Sequence, residues 1–431
     1  MAKVKNQLDK IEDKIMSGLK DFQKATVNRI DYLYRHKQRR VLVSDEVGLG
    51  KTLIARGTVA KMAKLRREEG DDLVKVVYIC SNSAIAEQNL RKLSITRDVK
   101  LESASSSRLS MQHLNIFKQE NDPELLDSYI QLIPLTPDTS FRVTTGAGMV
   151  RERALMYALL RRLHELRKYT EELEVAMMNN AFSAWDWYKD VYEKEVVNCN
   201  KMSQGRYFEH MLSKLKEELY KEWKNGITYI EGLKELCREI RDNDGERVRD
   251  NSIISQLRVI FAKISLEKLE PDLVIMDEFQ RFKYLLDINS ESDIGMLANK
   301  FFHSKDVRML LLSATPYKMY CTPEEIDEAR LDEHYTEFLA VMDFLNENNG
   351  EKQDFRTVWK DYSIKLKEMT LGETSIIAAK DAAEDAMYQT VCRTEGLQLR
   401  KALTLLMIVI RTFPWMLWNK IFVLMFKHRS F

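Results

Sequence analysis

Residues 41–52 read Val-Leu-Val-Ser-Asp-Glu-Val-Gly-Leu-Gly-Lys-Thr. The apolar run 41–43, bounded by turn-forming residues, predicts a short buried strand. Gly48 and Gly50 permit a tight loop whose backbone N–H groups point inward at an anion. Lys51 is placed to reach the β- and γ-phosphates of a nucleotide, and the Thr52 hydroxyl to ligate Mg²⁺. From 53 to 65 the apolar spacing is helical, so a phosphate here would sit on a helix N-terminus. Asp45 stands where the strict phosphate-loop pattern has glycine. A chance Gly-Lys-Thr turn would need neither the strand before it nor the helix after it.

The 431 residues suffice for one large domain or two ordinary ones. With 67 basic and 66 acidic residues, overall charge predicts no attraction to nucleic acid, so any such contact must come from a local patch. Five cysteines, Cys80, Cys199, Cys237, Cys321 and Cys392, lie far apart with no metal or redox spacing. That pattern suits a reducing, cytoplasmic setting. The opening Met-Ala-Lys-Val-Lys-Asn lacks the apolar core of a signal peptide.

Upstream of the loop, Leu8, Ile11, Ile15 and Leu19 recur at helical spacing, as do Val27, Ile30, Leu33 and Tyr34. Gln23 falls between these sets. Its amide can pair with both the donor and the acceptor of an adenine edge, or it is an ordinary surface residue. Residues 74–80 read as a second strand, ending in Ser81-Asn82-Ser83 before a helical 85–93. Residues 129–135 read as a third, ending in Thr136-Pro137-Asp138-Thr139-Ser140. That loop could hold a phosphate backbone or simply turn.

From about 150 to 268 the pattern is helical. Leu155, Leu159, Leu163 and Leu166 share one face, as do Met211, Leu215 and Leu219, and Ile253, Leu257, Phe261 and Ile264. Arg151, Arg153, Arg161, Arg162, Arg167 and Lys168 form either a solvated face or a nucleic-acid contact. Trp185, Trp187, Tyr188 and Tyr192 read as core rather than a base-stacking platform.

Residues 273–276 form a short apolar run that leads into Asp277-Glu278-Phe279-Gln280. Carboxylates at the C-terminal end of a strand sit where a doubly wound sheet places ligands. Asp277 can hold Mg²⁺ through water, and Glu278 can orient or deprotonate an attacking water. Residues 307–312 form the last strand and end in Ser313-Ala314-Thr315-Pro316, whose hydroxyls can hydrogen-bond Asp277 and sense a γ-phosphate. Strands alternating with helices predict a parallel sheet with right-handed crossovers, so the ligand-bearing turns fall on one sheet edge.

Taken in order, Phe22-Gln23, the Asp45–Thr52 loop, Asp277-Glu-Phe-Gln280 and Ser313-Ala-Thr-Pro316 resemble the motifs of superfamily-two helicases. The loop wording resembles the remodeller-like branch and its bacterial relatives. Asp277–Gln280 followed by Arg281-Phe282 resembles a bacterial helicase-like group, some of whose members sit in phage-defence systems. The resemblance implies an α/β fold: an N-terminal RecA-like P-loop motor domain with a parallel sheet flanked by helices and a largely helical insertion. It implies ATP and Mg²⁺ as cofactors, with Lys51, Asp277 and Glu278 catalytic. Gln23, Gly48, Gly50, Lys51 and Thr52 would hold the nucleotide, and Thr52 and Asp277 the metal. Ser313 and Thr315 match the coupling motif, and segments 81–89 and 136–141 match backbone contacts. The implied partner is nucleic acid, DNA rather than RNA, with no confident membrane partner. Residues 1–150 and 269–395 would be the two parts of the motor domain, with 151–268 inserted.

Two departures accompany the resemblance. Nothing after 395 resembles a second motor lobe with its arginine fingers. The tail 396–431 contains no Asp or Glu and carries apolar runs at 402–410 and 421–426. It reads as an out-of-frame or truncated end, an interfacial anchor, or a cover for an exposed sheet face. The expected function is the ATP-binding lobe of a nucleic-acid-dependent ATPase of the helicase or translocase kind, turning over poorly alone. The alternative is a catalytically weak nucleotide-binding subunit or scaffold that acts through a second polypeptide.

Overall fold

The computed structural model describes residues 2–45, 48–71, 73–81, 83–95, 108–121, 130–136, 146–179, 181–243, 251–279, 302, 307–313, 338–346, 355–367 and 375–393. Thr315, Gln280 to Phe282, most of the 136–141 segment and the tail 396–431 lie outside them. Among the described residues no helix is long and apolar enough to cross a membrane.

Strands β1 (Arg40–Val43), β2 (Val74–Ile79) and β3 (Ile130–Leu135) precede the helical stretch. A small antiparallel hairpin, β4 (Glu222–Lys224) and β5 (Ile227–Thr228), lies within it. Strands β6 (Leu273–Asp277), β7 (Arg308–Leu312) and β8 (Val391–Cys392) follow it. The main sheet runs β3-β2-β6-β7-β1-β8 and every pairing in it is parallel. Every strand of it therefore ends on the same edge. Strands from before and after the helical stretch interleave, since β6 pairs with both β2 and β7.

Period-two alternation sorts the strand residues onto two faces. Val41, Val43, Val76, Tyr78, Leu273, Ile275, Leu310 and Leu312 face one apolar core. That side is covered by α1 (Ala2–Ser17), α2 (Asp21–Arg35), α3 (Lys51–Glu68) and α4 (Ser83–Leu93). Leu42, Val77, Ile79, Val274, Met276, Met309 and Leu311 face the other core. There they meet Ile116 of α5 (Gln112–Asn121), the helix Ser252–Leu269 and the segments 338–346 and 355–367. Burial on both sides is why these strands read as continuous apolar runs. The architecture is a RecA-like α/β fold, as expected.

Between β3 and β6, helices Val150–Leu160, Thr170–Met178, Phe182–Met202, Arg206–Leu219 and Tyr229–Asp242 share a third apolar core with α5. The helix Ser252–Leu269 joins this core to the sheet. Its Leu257, Phe261 and Ile264 face the helices, while Ala262, Leu266 and Leu269 face the sheet. This helix runs directly into β6.

Three local readings differ from the structure. The basic run at 151–168 is not one solvated face. Arg153 is buried: its guanidinium donates to the carbonyls of Met177 (2.6 Å) and Met178 (3.1 Å), which end a helix, and to Gly148 (2.7 Å). Those terminal carbonyls lack helical partners, so a buried cation there is satisfied rather than stranded. Arg162 pairs with Glu193, whereas Arg167 and Lys168 are exposed. The aromatic cluster divides, with Trp185 buried and Trp187 63% exposed. The β4–β5 hairpin turns on Asn225 and Gly226, both at positive φ (51° and 79°).

Where the chain enters the helical stretch, Gly148 sits at φ +74°, and a Cβ there would lie 2.4 Å from both Nε of Arg258 and Oε2 of Glu152. Those two side chains form an ion pair at 3.0 Å, each 1% exposed. Gly148→Ala would combine left-handed backbone strain with displacement of a buried pair. The expected cost is at least about 3 kcal/mol, read as a lower urea midpoint.

Candidate nucleotide-binding site

All four residues of β1 are buried, and the chain leaves it through Ser44 and Asp45. Gly48 and Gly50 take φ of +90° and +82°, and Gly50 is the left-handed N-cap of the 18-residue α3. Gln23 fixes the loop from outside: Nε2 donates to the Leu49 carbonyl (2.9 Å), and Oε1 accepts from the Lys20 N–H (3.0 Å). A Cβ at position 50 would sit 2.5 Å from that Nε2. Glycine is thus required there for backbone conformation and for this close approach. Gln23 is not an ordinary surface residue, being 4% exposed. Among the described residues these two bonds use one N–H and one lone pair of its amide.

Lys51 opens α3, and its Nζ donates to the Asp45 carbonyl at 3.0 Å. Burial holds its ammonium below the usual lysine value, while the charges of Asp45, Asp277 and Glu278 oppose that shift. The pairing register explains why these groups act on one another. Val43 stands opposite Leu312, and Leu312 opposite Asp277, in one row across three strands. Two strand spacings put Asp277 about 10 Å from Val43, where the phosphate loop begins. Thr52, half-buried, lies in the first turn of α3.

Asp277 ends β6, and the chain then turns through Glu278, an exposed residue at φ +54°. A left-handed glutamate at a strand end costs of order 1 kcal/mol, and such strain clusters at functional positions. The Asp277 carboxylate is held by two residues that the sequence did not assign to it: Tyr78, and Asn89, the last residue of the segment 81–89 expected to touch a nucleic-acid backbone. The Tyr78 hydroxyl donates to Oδ2 at 2.5 Å, and Asn89 Nδ2 donates to the Tyr78 hydroxyl at 2.8 Å. Burial, then the neighbouring Asp277 charge, pushes the Tyr78 phenol well above its ordinary value, so it remains a donor. One signal was legible: a tyrosine inside the apolar run Val76-Val77-Tyr78-Ile79 must bury a hydroxyl, which then needs a partner.

Ser313, expected to bond Asp277, instead uses its backbone N–H on the Val43 carbonyl (3.0 Å). Its buried hydroxyl has no hydrogen-bond partner among the described residues. An orphaned buried hydroxyl between β1 and β6 is open to a ligand oxygen. The Thr52 hydroxyl and Asp277 carboxylate are hard oxygen donors, which suits Mg²⁺ shared with nucleotide phosphates.

The fold is that of a RecA-like α/β domain, with the glycine loop and Asp277 at the same edge of its parallel sheet. Residues 16–133 match the family model described as Type III restriction enzyme, res subunit. That span takes in Gln23, the phosphate loop, Tyr78 and Asn89, and ends before Asp277. No curated protein and no solved structure matches the chain.

Proposed function

We propose that this lobe binds ATP with Mg²⁺ and couples its hydrolysis to movement along DNA. The observation that carries the reading is the convergence of the phosphate loop and the Asp277-Glu278 pair on one edge of a parallel sheet. Lys51 and the α3 N-terminus would hold the phosphates. Thr52 and Asp277 would hold the metal, Glu278 would orient the attacking water, and Gln23 would read the adenine. Ser313, with Thr315, would report the state of the γ-phosphate. Residues 1–150 and 269–395 form the motor domain in this reading, with 151–268 as an insertion. Two features favour DNA: the matched family is described as a restriction-enzyme subunit, and the phosphate loop and Asp277–Gln280 resemble the remodeller-like and phage-defence groups. A facing lobe, from this chain or another polypeptide, would supply the arginine that stabilises the transferring phosphoryl group.

Linkage provides a test that does not depend on turnover. If DNA and ATP favour one closed state, each must raise the affinity for the other by the same factor. Binding of labelled duplex DNA, single-stranded DNA and RNA is measured with and without a non-hydrolysable ATP analogue and Mg²⁺. Tighter DNA binding with the analogue is expected. Nucleic-acid affinity that ignores nucleotide, in a chain whose ATPase ignores nucleic acid, would sink the reading. A preference for RNA would overturn its DNA part.

A further inference from the structure

Two residues far from Asp277 in the chain converge on its carboxylate. Tyr78, on β2, is 199 residues away, and Asn89, on α4, is 188 residues away. We propose that Tyr78 and Asn89 are positioning residues for the metal–nucleotide complex. They tie one Asp277 oxygen to the protein and keep the other for the metal. The inference rests on the nucleotide-binding reading above and adds two members to that site.

The sheet brings them together. Tyr78 pairs opposite Ile275 in the parallel β2–β6 ladder. Asp277, two residues further on, therefore lies on the same face as Tyr78. α4 covers that face through Ala86 and Leu90, which share the apolar core with Tyr78. Asn89, 9% exposed, lies between them in sequence and reaches the same spot.

The hydrogen bonds have one direction. Asn89 Nδ2 donates to the Tyr78 hydroxyl, which donates its single proton to Asp277 Oδ2. Asn89 Nδ2 also approaches Oδ2 at 3.4 Å. Donors chained this way polarise one another in a low-dielectric interior. Both contacts fall on Oδ2, and Oδ1 accepts no protein hydrogen bond among the described residues. Packing alone does not explain the tyrosine, because phenylalanine would fill the same volume. Partners behind a metal-ligating carboxylate fix its orientation, and losing one typically weakens metal binding about ten- to a hundredfold.

The test measures ATP binding to the full chain by calorimetry, in EDTA and across a Mg²⁺ titration, for wild type, Tyr78→Phe, Asn89→Ala and the double variant. Tyr78→Phe is expected to keep the affinity seen in EDTA and to need about tenfold more Mg²⁺ for half of the metal-dependent gain. Asn89→Ala should shift that midpoint less. The double variant should match Tyr78→Phe alone, because Asn89 acts mainly through the hydroxyl. An unchanged Mg²⁺ midpoint in Tyr78→Phe would overturn the proposal, and so would an equal loss of affinity with and without Mg²⁺. If Tyr78→Phe fails to fold, Asn89→Ala decides, since an unshifted midpoint there overturns the proposal. Failure of the underlying reading looks different: wild type and Lys51→Ala would bind ATP alike.

Discussion

Lys51→Ala is expected to weaken ATP·Mg²⁺ binding by roughly thirty- to a hundredfold, the equivalent of about 2–3 kcal/mol for a charge-assisted contact. The ammonium sits at the start of α3, held to the loop by the Asp45 carbonyl at 3.0 Å. In the proposed site it would meet the phosphates as a point charge that alanine cannot replace. Part of the affinity should survive, because the backbone of the glycine loop and the helix N-terminus still favour an anion. The fold should also survive, since Lys51 is only half-buried and alanine is the better helix former. Calorimetric titration with ATP, beside thermal unfolding of both proteins, separates the outcomes. Equal affinity in the two proteins would remove the nucleotide from this loop.

The sheet was legible because strands buried on both faces announce themselves without periodicity. Val41-Leu-Val, Val76–Ile79 and Leu273–Met276 are apolar runs that stop at polar turns. β8 was not legible. Two residues carry no pattern, and Val391–Cys392 is a strand only because β1 lies beside it. The β4–β5 hairpin is legible as Asn225-Gly226, a strong turn signal inside an otherwise helical stretch.

The site divides along the same line. Residues defined by local chain geometry, Gly48, Gly50, Lys51 and Asp277, could be picked from short motifs. Their supports could not. Gln23 stands out in the sequence for its amide, but its use on Leu49 follows from how α2 packs beside the loop. Tyr78 and Asn89 meet Asp277 only through strand order, which brings β6 next to β2 across the whole helical stretch. Arg153 shows the reverse error. Charge suggested solvent, yet tertiary structure supplies carbonyls that make burial favourable.

Glu278→Gln is expected to leave ATP binding within about twofold of wild type and to cut hydrolysis about a hundred- to ten-thousandfold, the range for losing a general base. Glutamine keeps the size and the hydrogen-bonding oxygen of the side chain but cannot take a proton from water at neutral pH. Glu278 is exposed and follows β6 by one residue, so the change should not disturb the sheet. Pre-steady-state hydrolysis with DNA present measures the effect directly, and a parallel binding titration confirms that nucleotide still enters. Backbone strain supplies an independent check. Glu278 holds φ +54°, which glutamine would also have to tolerate but glycine would adopt freely. Glu278→Gly should therefore unfold no more easily than wild type, with any gain below about 1 kcal/mol once chain entropy is counted, while losing turnover like Glu278→Gln. That pairing, stability kept or raised and activity lost, is what a strained catalytic position produces. If both variants instead hydrolyse ATP at the wild-type rate, Glu278 is not the base, and the strain at this turn serves only to direct the chain out of β6.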